Sequence, residues 1–225
     1  PTRAAGGNLV NYLRTLPGVV GTGDRGGQLF IRGGTPSENL VLMDGMLIYQ
    51  PFHITGFFSV FPEDLVYRAQ FFPGGFGPKY NGRISSVLDV QMRDGNRNER
   101  AVAASVSPFL AEAVVEGPIG GGTQRNAFIV SVRRSLLQET SPWLLGEEQR
   151  LSFNSYYAKV SSFGRDGASR CSLTGMHSND RGGLDPEDEL SRVDWSNIVL
   201  GGRCTSLAGE TFVQAGVAFF PVSGR

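Results

Sequence analysis

Residues 19–34 read Val-Val-Gly-Thr-Gly-Asp-Arg-Gly-Gly-Gln-Leu-Phe-Ile-Arg-Gly-Gly, "VVGTGDRGGQLFIRGG". Gly21, Gly23 and Gly26 satisfy G-x-G-x-x-G, the spacing that cradles the pyrophosphate of a dinucleotide in a doubly wound α/β fold. That chemistry needs a strand before the loop and a helix after it, so that the helix N-terminus faces the phosphates. Here the order is reversed. Upstream, "GGNLVNYLRTLPG" spaces Leu9, Tyr12, Leu13 and Leu16 as one face of a short helix that ends at Pro17-Gly18. Downstream, "GQLFIRGG" is a β-rich run between glycines, and no G-K-[ST] lysine follows. The stretch reads as a flexible glycine-rich connection from a helix into a strand. A helix after Gly26 would revive the cofactor reading; a strand there ends it.

The rest of the composition agrees with a glycine-bent β protein. Glycine supplies 31 of 225 residues, about twice the usual share, with no collagen period. Charged residues are 19%, hydrophobic residues 40%, and the net charge is zero, which removes the electrostatic case for a nucleic-acid partner. No apolar run is long enough for a membrane helix, a test that says nothing about barrel strands. The chain has neither an initiating Met nor a leader, and it reads as a piece of a longer protein.

Two textures follow one another. Up to about residue 97, short elements are joined by glycine-rich bends, as in a mixed sheet with short helices. Asp44-Gly45 sits between the apolar runs of "NLVLMDGMLI" and suits a tight hairpin turn. "FPEDLVYRAQFF" begins like a helical first turn and continues as a strand, and a further strand runs from Ile84 to Met92. From about residue 98 alternating strands take over, at 101–107, 110–117, 126–138, 154–163, 168–179, 196–206 and 210–221. After the bend at Ser107-Pro108, short and long connections alternate, as they do on the two rims of a barrel. In the third strand Phe128, Val130 and Val132 lie opposite Ala127, Ser131, Arg133 and Ser135. Periodicity alone leaves a membrane barrel and a soluble sandwich equally open; the loop asymmetry favours the barrel.

The motifs "LRTLPGVV", "LFIRGG", "NLVLMDGMLIYQPFHITGFFSVF" and "FFPGGFGPKYNGRISSVLDVQMRDG" resemble the plug domain of a TonB-dependent outer-membrane receptor. "VVEGPI…AFIVSVRRSLLQ" resembles an early barrel hairpin of that family, in a style similar to Bacteroidota-like members. The resemblance implies an α/β plug over 1–97, followed over 98–225 by the antiparallel first strands, about seven, of an incomplete transmembrane β-barrel. Family barrels have about 22 strands. It further implies residence in the cell outer membrane of a diderm bacterium, contact with outer-membrane lipids, and uptake driven by the TonB complex through a TonB box outside this chain. The implied ligand is an oligosaccharide, peptide or metal chelate, cobalamin included, and the implied partners extend to a surface lipoprotein lid.

Within that frame Arg32, Arg83 and Arg93 are candidates for ion pairs between plug and barrel wall. Tyr49, Phe52, His53, Phe57 and Phe58 crowd one segment, as substrate-facing candidates or as packing. Asp44 and Gly45 are assigned to the hairpin turn. Residues 171 and 204 are symmetric about the middle of the connection 180–195, so in a symmetric hairpin Cys171 and Cys204 face each other as a candidate disulfide. The acidic group Asp180, Asp185, Glu187, Asp188 and Glu189 misses the EF-hand spacing and reads as a solvated outer loop. His53 and His177 are too few for a metal signature. No nucleophile–base pair and no cofactor motif emerges, which points away from an enzyme. Active import and a plugged barrel used for signalling or docking are the two functional readings.

Overall fold

The computed structural model describes residues 9–22, 28–53, 58–120, 125–145, 151–164, 168–183, 192–208, 211–219 and 222–224. Backbone contacts divide the chain into two units, Pro1–Met92 and Arg93–Arg225.

In the first unit, helix α1 (Leu9–Arg14) leads into strands β1 (Val19–Thr22) and β2 (Gln28–Ile31), which pair antiparallel. The first four residues of the glycine-rich stretch are therefore a strand, not a flexible connection: Gly21 takes its place in a ladder opposite Leu29. Residues 23–27 lie outside the described residues. A strand follows Gly26, which ends the dinucleotide reading.

Strands β3 (Asn39–Met43), β4 (Met46–Leu47), β5 (Val66–Phe72) and β6 (Ser86–Met92) form a mixed sheet in the order β4-β3-β6-β5, with β3 parallel to β6. Asp44 and Gly45 form the two-residue turn between β3 and β4, with φ of 51° and 85°. Left-handed backbone at both positions is the type I′ geometry that matches strand twist, and glycine meets it without a Cβ penalty. The central strand β6 is buried from Ser86 to Val90, packing Val87, Leu88 and Val90 beside Leu40, Val41 and Met43. That strand starts two residues later than the sequence suggests, and Ile84 is 80% exposed. Ser85 leaves the ladder because its hydroxyl donates to the Ile31 carbonyl at 2.9 Å and its N–H to the Glu38 carbonyl at 3.1 Å. A 3-10 turn, Glu63–Leu65, precedes β5 and buries Leu65.

The second unit is a sequential antiparallel meander. Its strands are β7 (Ala101–Val106), β8 (Leu110–Ile119), β9 (Asn126–Ser135), β10 (Ser152–Phe163), β11 (Ser169–Gly183), β12 (Arg192–Ala208) and β13 (Thr211–Phe219), with β14 (Val222–Gly224) returning to β12. Connections 107–109, 136–151 and 184–191 fall at one rim and 120–125, 164–168 and 209–210 at the other. Two local expectations change. β9 stops at Ser135, whose hydroxyl accepts the Leu137 N–H at 3.2 Å, and helix α2 (Leu137–Leu145) replaces the expected strand end. Thr140 Oγ1 then donates to the Pro108 carbonyl at 2.7 Å, docking α2 on the neighbouring turn. Asp180, expected in a solvated loop, lies buried in β11; Asp185, Glu187, Asp188 and Glu189 fall outside the described residues.

The two faces of this sheet carry inverted polarity. Ser131, Arg133, Ser155, Lys159, Ser161, Thr174 and Ser178 are buried on one face, interleaved with Ile129, Phe153, Tyr157, Met176 and Val199, whereas Val130, Val132, Val160, Leu173, Ile198 and Leu200 are exposed on the other. A soluble sandwich buries its apolar face. A membrane barrel does the reverse, so the burial pattern separates two folds that periodicity leaves equal. Among the described strands the sheet is open, running from β7 to β13 without closure.

Candidate functional site

The first unit contains a cavity of about 180 Å³ beside β3 and β6, bordered by Leu13, Ile48, Tyr49, Phe52, Phe71 and Arg83. The segment 49–60 shapes its mouth by folding back on itself. Phe52 bridges Ser59, the His53 N–H donates to the Phe58 carbonyl at 2.9 Å, and the Val60 N–H to the Pro51 carbonyl at 3.0 Å. The aromatic cluster is thereby divided. Tyr49 is 59% exposed at the cavity, Phe52 and His53 are buried, Phe58 is half-buried, and Phe57 lies outside the described residues. His177, the other histidine, stacks on Tyr156 in the second unit, with ring centroids 6.1 Å apart.

A hydrogen-bonded scaffold holds the other side of the cavity. Asn39 Nδ2 donates to the Leu29 carbonyl at 2.8 Å, and Ser86 Oγ donates to Asn39 Oδ1 at 2.8 Å. The Thr35 N–H donates to Glu38 Oε2 at 2.7 Å, part of a capping box on the 3-10 turn Pro36–Glu38. Arg32 has a φ of 50° and gives its N–H to the Gly18 carbonyl at 2.8 Å, and its side chain is exposed. Arg83 is half-buried at the cavity wall. Neither arginine forms an ion pair among the described residues.

Sequence reasoning passed over Asp89. It is a buried carboxylate in the central strand, and it accepts the Tyr80 hydroxyl at 2.8 Å and faces Lys79 Nζ at 3.5 Å. Burial first, then the bond to Asp89, push the Tyr80 hydroxyl above its ordinary 10.0. For Lys79, burial pulls the ammonium down, but the Tyr80 bond and the Asp89 charge outweigh it and raise it above 10.5.

The third candidate arginine opens the second unit. Arg93 Nη1 and Nη2 donate to Glu116 Oε2 and Oε1 of β8 at 2.6 and 2.9 Å, a bidentate fork. On the exposed side of the sheet, Cys171 and Cys204 are register partners of β11 and β12, with Cα atoms 4.0 Å and sulfurs 2.11 Å apart.

A small mixed-sheet domain followed by an open meander, with an apolar exterior and a buried face that holds serines, Arg133 and Lys159 among apolar residues, is the arrangement of a plug and the leading strands of a barrel. The sequence model of the TonB-dependent Receptor Plug Domain family matches residues 2–86. Residues 2–86 thus match a TonB-dependent receptor plug, and the fold of the chain is that of such a plug followed by barrel strands. Among solved structures it is similar to the siderophore receptor PirA from Acinetobacter baumannii, at a TM-score of 0.69 and 12% identity over 98% of this chain and 38% of that one. It is similar to the FrpB iron transporter from Neisseria meningitidis, at 0.70 and 17% over 97% and 37%. It is also similar to a mutant of the ferric enterobactin receptor PfeA from Pseudomonas aeruginosa, at 0.64 and 14% over 98% and 38%. The chain spans less than two fifths of the length of these receptors, and at such identity the likeness is one of fold. No curated protein matches the sequence.

Proposed function

We propose that this chain is the plug and leading wall of an outer-membrane importer that takes up a scarce or large ligand on energy delivered by the TonB complex. The observation that carries the reading is the pairing of a plug-family domain with a sheet that exposes one apolar face, from Val130 to Leu200, and buries Lys159, Arg133 and a set of serines on the other. Such a sheet is at home with hydrocarbon on one face, in the outer membrane of a diderm bacterium. The TonB box would lie outside this chain. Ligand contact falls to the cavity bordered by Tyr49 and Arg83, whose volume of about 180 Å³ suits one ring-sized moiety of a larger molecule. An aromatic face beside a cation fits an oligosaccharide, a peptide or a metal chelate, and the work done on it is transport rather than bond chemistry. The siderophore and iron receptors of similar fold make ferric chelates the first probes to try.

The test is accumulation of labelled ferric catecholate, cobalamin, oligosaccharide and peptide probes by cells producing the full-length receptor with or without its TonB box. Uptake of one probe that vanishes on deleting the box supports the reading. Uptake of that probe that is unchanged by the deletion overturns it.

A further inference from the structure

Between Met92 and the start of β7 the chain crosses the buried face of the second unit's sheet, near the rim of short turns. It does not cross loosely. Glu116 of β8 receives both arms of Arg93 and also the Asn96 N–H, at 2.8 Å. Asp94 Oδ1 accepts the Ser161 hydroxyl of β10 and Arg170 Nη2 of β11 at 2.6 Å, and it lies 3.6 Å from Lys159 Nζ of β10. Gly95 runs so close to β9 that a Cβ there would overlap the Phe128 carbonyl oxygen. The Arg97 guanidinium covers the Phe163 ring of β10 at 4.5 Å, with Arg170 against the same ring at 5.8 Å. Asn96 Oδ1 then accepts the N–H groups of Asn98 and Glu99 at 2.9 and 3.3 Å, a turn that redirects the chain towards β7.

Eight residues thus engage four strands, mostly through charge-assisted bonds, which are about twice as strong as neutral ones. The Lys159 side chain is 1% exposed, and the carboxylate brought by the crossing segment lies against its buried ammonium. The position of Glu116 adds a mechanical consequence. It is the register partner of Ala101, the first rung of the six-residue β7–β8 ladder. A pull arriving at Arg100 would open that ladder one rung at a time, unless the pull is first taken up by bonds upstream of it. Arg93 and Asn96 hold the very residue at which such opening would begin.

We propose that residues 93–100 are an anchor strap of the wall, fixed to β8, β9, β10 and β11, at which any rearrangement of the first unit stops. The strap protects β7 from being peeled off the sheet when the preceding domain is strained. The proposal rests on the importer reading for its purpose, but its test needs no transport.

The test is amide hydrogen exchange on the full-length receptor in lipid nanodiscs, across a series of sub-denaturing urea concentrations. In the native sequence the amides of Asn96, Asn98 and Glu99 should stay protected with β8 and β9 while those of β3 and β6 open. Asp94→Asn should speed exchange at Asn96 by about tenfold or more, the loss expected for charge-assisted bonds, and should expose β7 in the same step as β3 and β6. Arg97→Ala, which leaves the buried charges in place, is the milder variant and should speed Asn96 by about threefold, as befits a cation–π contact. The strap is refuted if Asn96 opens together with β3 and β6 in the native sequence, or if both variants leave Asn96 and β7 unchanged. A receptor that fails the TonB-box test but retains strap protection would sink the importer reading and leave the anchor standing.

Discussion

The turn at Asp44-Gly45 offers the sharpest test of how the first unit is built, because geometry and charge make opposite predictions for one substitution. Asp44 has a φ of 51°, its N–H donates to the Val90 carbonyl at 2.8 Å, and its Oδ1 accepts the Met92 N–H at 3.0 Å. The residue is buried, so the Met92 N–H has no ready water to replace that oxygen. Asp44→Ala pays twice. Left-handed backbone costs alanine about 1–2 kcal/mol, and a buried donor stripped of its acceptor costs about 1–3 kcal/mol. The sum is about 2–5 kcal/mol. Asp44→Asn keeps an acceptor oxygen and tolerates the same backbone, and should cost about 0–1 kcal/mol. Gly45→Ala, at a φ of 85°, isolates the backbone cost alone, about 1–2 kcal/mol. The measurement is the opening free energy of β3 and β6 amides, from exchange in increasing urea on the full-length receptor. If Asn costs as much as Ala, the charge of Asp44 holds the turn and the geometric account is wrong.

Other consequences can be read with the same protein. The bridge between Cys171 and Cys204 spans 33 residues, so by chain entropy its removal costs about 3–4 kcal/mol of β11–β12 stability; melting of Cys171→Ser/Cys204→Ser against the oxidised protein measures it. Both Tyr80 and Lys79 have raised folded values. Their contribution to loop 73–85 is therefore present below their ordinary 10.0 and 10.5 and fades as pH rises through the higher folded values. A phenolate absorbance titration, native minus Tyr80→Phe, should place the Tyr80 midpoint above 10.0, and a midpoint below it contradicts the sign. Arg93→Lys cannot reproduce a two-armed fork on Glu116 and should lose about 1–3 kcal/mol at the Asn96 amide, where an equivalent point charge would lose nothing.

Much of the fold was legible because its signals are local. The helix spacing of Leu9 to Leu16 and the β-rich run after Gly26 set the element order that excludes a nucleotide loop, and the alternation in β9 placed Arg133 and Phe128 on opposite faces. β1 was hidden because four residues containing one glycine carry too little periodicity, and it exists as a strand only through pairing with β2. α2 was hidden for a different reason: "LQETSPWLL" holds Pro142, and the helix depends on the Ser135 hydroxyl and the Pro108 carbonyl. Asp94 and Asp89 escaped notice because their meaning lies in their partners. Asp94 meets groups 67 and 76 residues further along the chain, and no spacing rule connects such positions. The aromatic segment 49–58 showed its composition but not the fold-back that separates an exposed Tyr49 from a buried His53.

The wall's registers also argue for the solvent on its exposed face. Following the ladders sideways, Phe128, Val160, Leu173, Gly202 and Val217 form one exposed row across five strands, and Val130, Ala158, Gly175, Leu200 and Phe219 form the next. Val132, Tyr156, His177 and Ile198 make a third. Across β9 to β12 these rows are bounded on both sides, by Asn126, Ser162 and the Cys171–Cys204 pair towards the short turns, and by Arg134, Asn154, Asn179 and Ser196 towards the other rim. On β9 those limits are Asn126 and Arg134, about 26 Å apart at the usual rise per residue. Tilted by about 40°, as barrel strands are, the band stands about 20 Å tall, close to the roughly 25 Å apolar belt of an outer-membrane wall. A water-soluble surface would have no reason to confine its apolar residues between two polar limits at that spacing, nor to leave such a band uncovered. The buried face supports the same conclusion, since the rows that hide Lys159, Ser161 and Thr174 lie behind the ones that expose Val160 and Leu173.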